Sequence, residues 1–296
     1  MPDREPLLSL SNVTLRYGRD KRTPPVLRGV SLDLYEGELL SLVGESGSGK
    51  STVGRAIVRA IPITEGEIRF RGERISGKLP RSRERELCQQ IQMVFQDPAA
   101  SLNERATVDY IVSEGLYNFR RTGSERERKR RVEEMIRRVG LLPEHLSRYP
   151  HEFSGGQRQR IGIARAMILE PRLVIADEPI SALDVSMRAE ILNLLCELRR
   201  ERGVSFLFVA HDLSVVRHVS DRIAVIYRGR IVEIAPSEEL FLRPAHPYTV
   251  SLLSAIPIPD PILERKKKRI VYEPRDEELA GKMIDLGGGH LVRRPL

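Results

Sequence analysis

Gly44-Glu45-Ser46-Gly47-Ser48-Gly49-Lys50-Ser51-Thr52 is the stretch that decides the fold class of this chain. It fits G-x-x-x-x-G-K-[ST] at every specified position, and both flanks are of the right kind. Glu38-Leu39-Leu40-Ser41-Leu42-Val43 is a short apolar run with the length of a buried strand, and the residues from Thr52 to Arg59 can wind as a helix. Strand, glycine loop and helix thus come in the order a phosphate cradle needs; a Gly/Ser linker would require neither flank. Glycines 44, 47 and 49 let the backbone turn tightly and aim its N–H groups inward, and the helix points its positive end at the same spot. Lys50 is expected to reach the β- and γ-phosphates of a nucleotide, and the Ser51 hydroxyl to be a ligand of Mg²⁺.

Upstream, residues 7–35 alternate in places, as in Leu8-Ser9-Leu10 and Val30-Ser31-Leu32-Asp33-Leu34, and predict antiparallel strands around a turn-rich break at residues 18–25. Downstream, Gly66 to Gly72 predicts a short strand, a polar stretch follows to Glu86, and Ile91 to Phe95 predicts another strand stopped by Gln96-Asp97-Pro98. From Val108 to about Ile168 the period is helical, with Val132, Met135, Ile136 and Val139 on one face and Gly140 as a C-cap, so a helical insertion is expected. Apolar runs resume at Leu173 to Ala176 and Val204 to Ala210, separated by a helix from about Met187 to Arg202. Buried strands alternating with helices imply a mainly parallel sheet covered on both faces, the α/β class. Residues 223–234 predict a hairpin turning at Arg228-Gly229, with a helix N-capped by Ser237 after it. Beyond Ala255 the prolines, the basic run 265–269 and Gly287-Gly288-Gly289 predict a poorly packed extension with a short strand near 269–272.

At 296 residues and 41% hydrophobic content the chain has enough material for a core. Its two cysteines, Cys88 and Cys196, are far apart and in no metal-like spacing, which suits a reducing compartment. Residues 1–6 carry no apolar stretch of signal-peptide length, and no window approaches the ~20 apolar residues of a membrane span. The net charge of +8 is gathered at Arg120-Arg121, 126–131 and 265–269; such clusters read first as solvated faces and then as lipid-facing patches. With no Trp, and no aromatics between the basic residues, nucleic acid is not expected as a partner.

Two further sites complete the chemistry. The apolar run ending in Asp177-Glu178 supplies a carboxylate to hold the metal through water, Asp177, and one to polarise an attacking water as general base, Glu178. Phe153-Ser154-Gly155-Gly156-Gln157 leads into a helical run and makes a second anion site. One chain cannot readily fold both cradles onto the same γ-phosphate. Two cassettes facing head to tail, each serving the other's nucleotide, resolve that difficulty.

With these motifs together the chain resembles the nucleotide-binding subunit of an ATP-binding cassette transporter. The resemblance implies a P-loop NTPase with an antiparallel β subdomain, a helical insertion at about 98–168 and a C-terminal extension, with the ATPase domain at 7–257 and the extension at 258–296. It implies that Gln96 touches Mg²⁺ and water where a membrane partner docks, so the metal ligands are Ser51, Gln96 and Asp177. Ser154, Gly155, Gly156 and Gln157 form the signature, with Phe153 where the family has Leu. Asp184 of Ser181-Ala182-Leu183-Asp184 crosses the dimer interface, and His211, which alone would read as a strand-end histidine, contacts the γ-phosphate. Tyr17 would lie under adenine; otherwise it packs on the sheet edge. The implied catalytic group is therefore Glu178, His211, Gln96 and Lys50.

Phe95-Gln96-Asp97-Pro98, Glu178-Pro179-Ile180-Ser181 and His246-Pro247-Tyr248-Thr249 resemble the branch that imports dipeptides, oligopeptides or nickel. That branch implies ATP and Mg²⁺ as cofactors. Its partners are a second cassette subunit, two transmembrane permease subunits and an extracytoplasmic solute-binding protein, and its place is peripheral, at the cytoplasmic face of the membrane. Many members carry tail cysteines for an iron–sulfur cluster; no cysteine follows Cys196 here, so no cluster is expected. The alternative from another class, a soluble cassette acting on nucleic acid or ribosomes, predicts a second cassette, a long coiled coil or zinc cysteines.

Overall fold

The computed structural model describes residues 4–18, 22–257, 260, 264–265, 267–274 and 281–294. In chain order its elements are β1 (Leu8–Leu15), β2 (Leu27–Leu34), β3 (Leu39–Val43), α1 (Lys50–Ile57), β4 (Glu65–Phe70), β5 (Glu73–Arg74), α2 (Arg81–Gln90), β6 (Ile91–Val94), α3 (Pro98–Ser101), α4 (Val108–Phe119), α5 (Glu125–Arg138), α6 (Gly155–Met167), β7 (Leu173–Asp177), α7 (Val185–Arg202), β8 (Ser205–Ala210), α8 (Leu213–Val216), β9 (Arg222–Tyr227), β10 (Arg230–Pro236), α9 (Ser237–Leu242), α10 (Pro247–Ser254), β11 (Lys282–Asp285) and β12 (Leu291–Arg294). They form two compact units, Met1–Lys78 with Leu207–Leu296, and Leu79–Phe206.

The first unit holds two sheets. In the smaller, β1 and β2 pair antiparallel as expected, with Leu8 opposite Leu34 and Leu10 opposite Leu32, and the order is β2-β1-β4-β5. The alternation of β1 breaks after Leu10 because the register shifts there, at Asn12 with φ +51°, and it resumes at buried Val13 and Leu15. The part of the larger sheet that lies in this unit runs β11-β12-β10-β9-β3, with β8 from Leu207 on next to β3. All five residues of β3 are buried, as in a strand covered on both faces, and β3 pairs in parallel with β9. The carboxylate of Asp221 accepts from the Leu39 N–H at 2.8 Å, and buried Glu38 pairs with Arg222 at 3.0 Å, so the start of the strand that leads into the glycine loop is fixed. The β9–β10 hairpin turns at Arg228 and Gly229, both at positive φ, the geometry of a two-residue primed turn. Gly229 donates its N–H to Ser48 O at 2.9 Å and accepts from Arg28 N at 2.8 Å; a β-carbon there would lie 2.0 Å from Val26 O.

In the second unit β6 and β7 pair in parallel, and α4 to α6 form the expected helical region. The fold is α/β, with a mixed sheet, an antiparallel sheet and surrounding helices, as the sequence predicts.

Three local expectations are corrected, and one stretch given no element is a helix. The polar stretch before Glu86 lies partly in a helix, α2, which buries only Leu87 and so carries no apolar period. Ser237 is the first residue of α9 and not its cap; its hydroxyl donates to Arg217 O at 3.1 Å. The basic cluster at 126–131 is not wholly solvated, because Arg128 is 3% exposed and bonds Asp109 and Glu125. Residues 269–272 are not a strand, since the Ile270 backbone bonds the hydroxyls of Ser251 and Ser254. The strands of the tail are instead β11 and β12, with β12 on β10 and Val292 buried. Pro259, Pro261 and Lys266 lie outside the described residues.

The tight approach at the hairpin turn predicts that Gly229→Ala lowers the unfolding free energy by about 2 kcal/mol or more in urea titration, since it adds both a clash and a strained φ. Unchanged stability would contradict that packing.

Candidate functional site

The glycine loop leaves β3 at Gly44, whose Cα lies so close to the neighbouring strand that a β-carbon would meet Ile226 O at 2.2 Å. Only glycine fits this approach. Ser46 and Gly47 are exposed, Ser48 and Gly49 buried, and α1 begins at Lys50 with Gly49 as its N-cap. Lys50 is 4% exposed, and its ammonium donates to Gly44 O at 2.8 Å and Glu45 O at 2.9 Å. A buried cation held by carbonyls alongside a helix N-terminus is the arrangement that favours an anion. Ser51 is half-buried and Thr52 buried. The Tyr17 hydroxyl lies 3.2 Å from Thr52 Oγ1 while 44% of the residue stays exposed, so this tyrosine stands at the start of α1. His211 directly follows β8 and is exposed.

The remaining candidates lie in the second unit. Asp177, the last residue of β7, is 3% exposed. Glu178 has φ +44°, a left-handed conformation rare for a residue with a side chain, and Gln96 Nε2 donates to its carboxylate at 3.1 Å. Such strain gathers at functional sites, where surrounding structure over-determines the backbone. The Glu178 carbonyl accepts from both the N–H and the hydroxyl of Ser181, closing the turn into Ser181-Ala182-Leu183-Asp184. The segment bearing Gln96 is pinned on its C-terminal side: Asp97 caps α3 through Ala99 N at 2.9 Å, and Arg165 on α6 donates to Ser101 O at 2.6 Å with its guanidinium over the Phe95 ring.

The second glycine motif forms a reciprocal cap. Ser154 Oγ accepts from Gln157 N at 3.3 Å, and Gln157 Oε1 accepts from Ser154 N at 3.0 Å. Gly155 is exposed, Gly156 buried. Phe153, the departure from the family's leucine, is buried with its ring edge-on to His145 at 5.3 Å. Asp184 caps α7 through Met187 N at 2.9 Å, a bond that holds its carboxyl below the usual aspartate range.

The structure thus brings Tyr17 to Thr52, Lys50 to the carbonyls of Gly44 and Glu45, and Gln96 to Glu178, while Ser154, Gln157 and Asp184 bond within their own helix starts. Two contacts escaped sequence reasoning. Arg165 is an ordinary residue of an amphipathic helix, and the Tyr248 hydroxyl accepts from Glu45 N at 3.1 Å across a sequence separation that no local pattern spans.

Residues 27–181 match the family model described as ABC transporter, and residues 232–282 match that of the oligopeptide/dipeptide transporter C-terminal region. The chain is 57% identical over 291 residues to the oligopeptide transport ATP-binding protein AmiF of Streptococcus pneumoniae serotype 4, covering 97% of this chain and 94% of that one. It is 55% identical to OppF of Streptococcus pyogenes serotype M1, an oligopeptide transport ATP-binding protein, over 97% and 95% of the two chains. Among solved structures it is similar to the ATP-binding cassette MJ0796 in a dimeric post-hydrolysis state bound to ADP and Pi, with TM-score 0.71, 31% identity, and 78% and 98% of the chains covered.

Loss of the Ser154 cap predicts that Ser154→Ala costs about 1 kcal/mol of stability in urea unfolding, and that Ser154→Asp, which keeps an acceptor at the cap, restores it. Equal stability of all three proteins would show that the cap contributes nothing.

Proposed function

This chain belongs to the ABC transporter family, whose ATPase activity is coupled to transport, and we propose that it energises the import of di- or oligopeptides. The peptide assignment rests on the named relatives and the matched C-terminal region, which covers the His246-Pro247-Tyr248 segment. In this reading the chain works peripherally at the cytoplasmic face of a membrane. It is held there by two permease subunits, which receive solute from an extracytoplasmic binding protein, and it pairs head to tail with a second cassette.

The observation that carries the hydrolytic reading is the hydrogen bond from Gln96 to Glu178 at the end of β7. It orients a half-buried carboxylate at a strand terminus, the arrangement a general base for water requires. Lys50, already desolvated on two backbone carbonyls, turns its charge to the β- and γ-phosphates when ATP enters the loop, and the N–H groups of the loop and of α1 solvate the rest of the triphosphate. Tyr17 offers its exposed ring to adenine. Glu178 takes the proton of the attacking water while His211 steadies that water and the γ-phosphate. Ser154, Gly155 and Gly156 of the partner cassette bind the γ-phosphate from the opposite side, and Asp184 lies at the same interface.

The candidate metal ligands Ser51, Gln96 and Asp177 offer a hydroxyl, an amide oxygen and a carboxylate, the all-oxygen donor set that suits a hard divalent cation such as Mg²⁺. When bound, Mg²⁺ neutralises charge on the β- and γ-oxygens. Closure of the two cassettes on ATP and their separation after hydrolysis drive the permease, with Gln96 and the helical region transmitting the motion.

Glu178→Gln keeps the hydrogen-bonding shape and removes the base. It is expected to bind a fluorescent ATP analogue as the wild type does while losing about 10²-fold or more of the ATPase rate in the assembled transporter. Normal turnover would remove Glu178 from the mechanism.

A further inference from the structure

The outer side of the phosphate loop is gripped from two directions. At one point the hairpin turn donates Gly229 N–H to Ser48 O at 2.9 Å. At the other, Glu45 N–H is accepted at 3.1 Å by the hydroxyl of Tyr248, from α10. The Glu45 peptide carbonyl in turn accepts from Lys50 Nζ and from Ser48 N, so this one residue ties together the lysine, the middle of the loop and the tyrosine.

Tyr248 is built to stay where it is. It is 1% exposed, its ring packs on Tyr227 at 4.3 Å, and Tyr272 closes over both at 5.6 and 5.4 Å. The start of its helix is fixed as well. His246 Nδ1 accepts from Tyr248 N at 3.1 Å, and fully buried Glu233 on β10 accepts from Ala245 N at 2.8 Å and His246 N at 3.0 Å. The same carboxylate meets Nε2 of buried His290, which begins the approach to β12, at 2.7 Å. A continuous set of buried polar and aromatic contacts therefore runs from the C-terminal strands through Glu233 and α10 to the nucleotide loop.

We propose that Tyr248 is a positioning residue for the ATP site: its hydroxyl fixes the Glu45 peptide, so that Lys50 and the loop N–H groups stand ready for the triphosphate. The C-terminal region then sets nucleotide affinity in addition to whatever it does toward partners. The inference rests on the reading of residues 44–52 as the ATP loop. A hydrogen bond of this kind, worth about 0.5–1.5 kcal/mol, corresponds to an effect of about two- to tenfold on binding.

The test is Tyr248→Phe, which removes one oxygen and keeps the ring. Binding of a fluorescent ATP analogue to the folded protein is expected to weaken about two- to tenfold, with faster hydrogen exchange of a peptide covering residues 44–50 before nucleotide is added. In the assembled transporter the KM for ATP rises by a similar factor while kcat stays near that of wild type. A purely structural tyrosine would lower the unfolding midpoint and leave the affinity of the folded protein and the exchange of the loop unchanged; that outcome overturns the proposal. If Tyr248→Phe fails to fold, Glu45→Pro, which deletes the N–H and leaves Tyr248 in place, must reproduce the weaker binding, and unaltered affinity in that variant overturns the proposal equally. Wild-type protein that binds no ATP analogue would instead refute the ATP reading of the loop.

Discussion

The glycine loop of the first unit is organised around one constraint, the burial of the Lys50 ammonium at the start of α1. A desolvated charge is costly unless polar groups replace its water, and here the replacements are two backbone carbonyls, Gly44 O and Glu45 O. They are available because the loop folds back over the helix start, where Gly44 passes against Ile226, Ser48 O accepts from Gly229, and Glu45 N–H donates to Tyr248. The apolar strand β3 and its parallel partner β9 supply the rigid floor from which the loop departs. The lysine is thus preorganised: phosphate oxygens have to replace two carbonyls and no ordered water shell of a free ammonium.

In the second unit the residues with proposed chemical roles also shape the local backbone. Ser154 and Asp184 cap the helices they precede, Asp97 caps the helix after Gln96, and the Glu178 carbonyl closes the turn toward Asp184. Small polar residues at helix starts are where orphan N–H groups need acceptors and where anions are favoured, so one placement meets both needs. Substitutions at these positions therefore confound folding with function unless the cap chemistry is kept.

The parts of the fold that were legible in the sequence are those whose burial follows a period or whose backbone demands a particular residue. β3 and β7 read as short, mostly apolar runs, α5 as an i, i+3, i+4, i+7 stripe, the hairpin as a Gly turn between apolar runs, and the phosphate loop as a glycine spacing. What was hidden has a physical reason in each case. The sequence of α2 is nearly all charged and polar, so its helix leaves no apolar stripe. Strands β11 and β12 are short and lie at a sheet edge, where alternation is weak, and the expected strand at 269–272 failed because serine hydroxyls of α10 meet its backbone. The candidate residues could be named from motifs, but their conformations could not: nothing in Asp177-Glu178 announces a left-handed glutamate, and nothing near Glu45 announces a tyrosine two hundred positions away.

The central claim is that ATP is held by two cassettes, the phosphate loop of one and the Ser154–Gly156 turn of the other. Hydrogen exchange on the assembled transporter, with and without ATP in the Glu178→Gln background, tests it most directly, whether the second cassette is another copy or a different chain. The account predicts that ATP slows exchange in peptides covering residues 44–52 and also in those covering 154–158, of this chain or of the corresponding turn in its partner. Protection confined to the phosphate loop, at nucleotide concentrations that saturate it, would contradict shared binding.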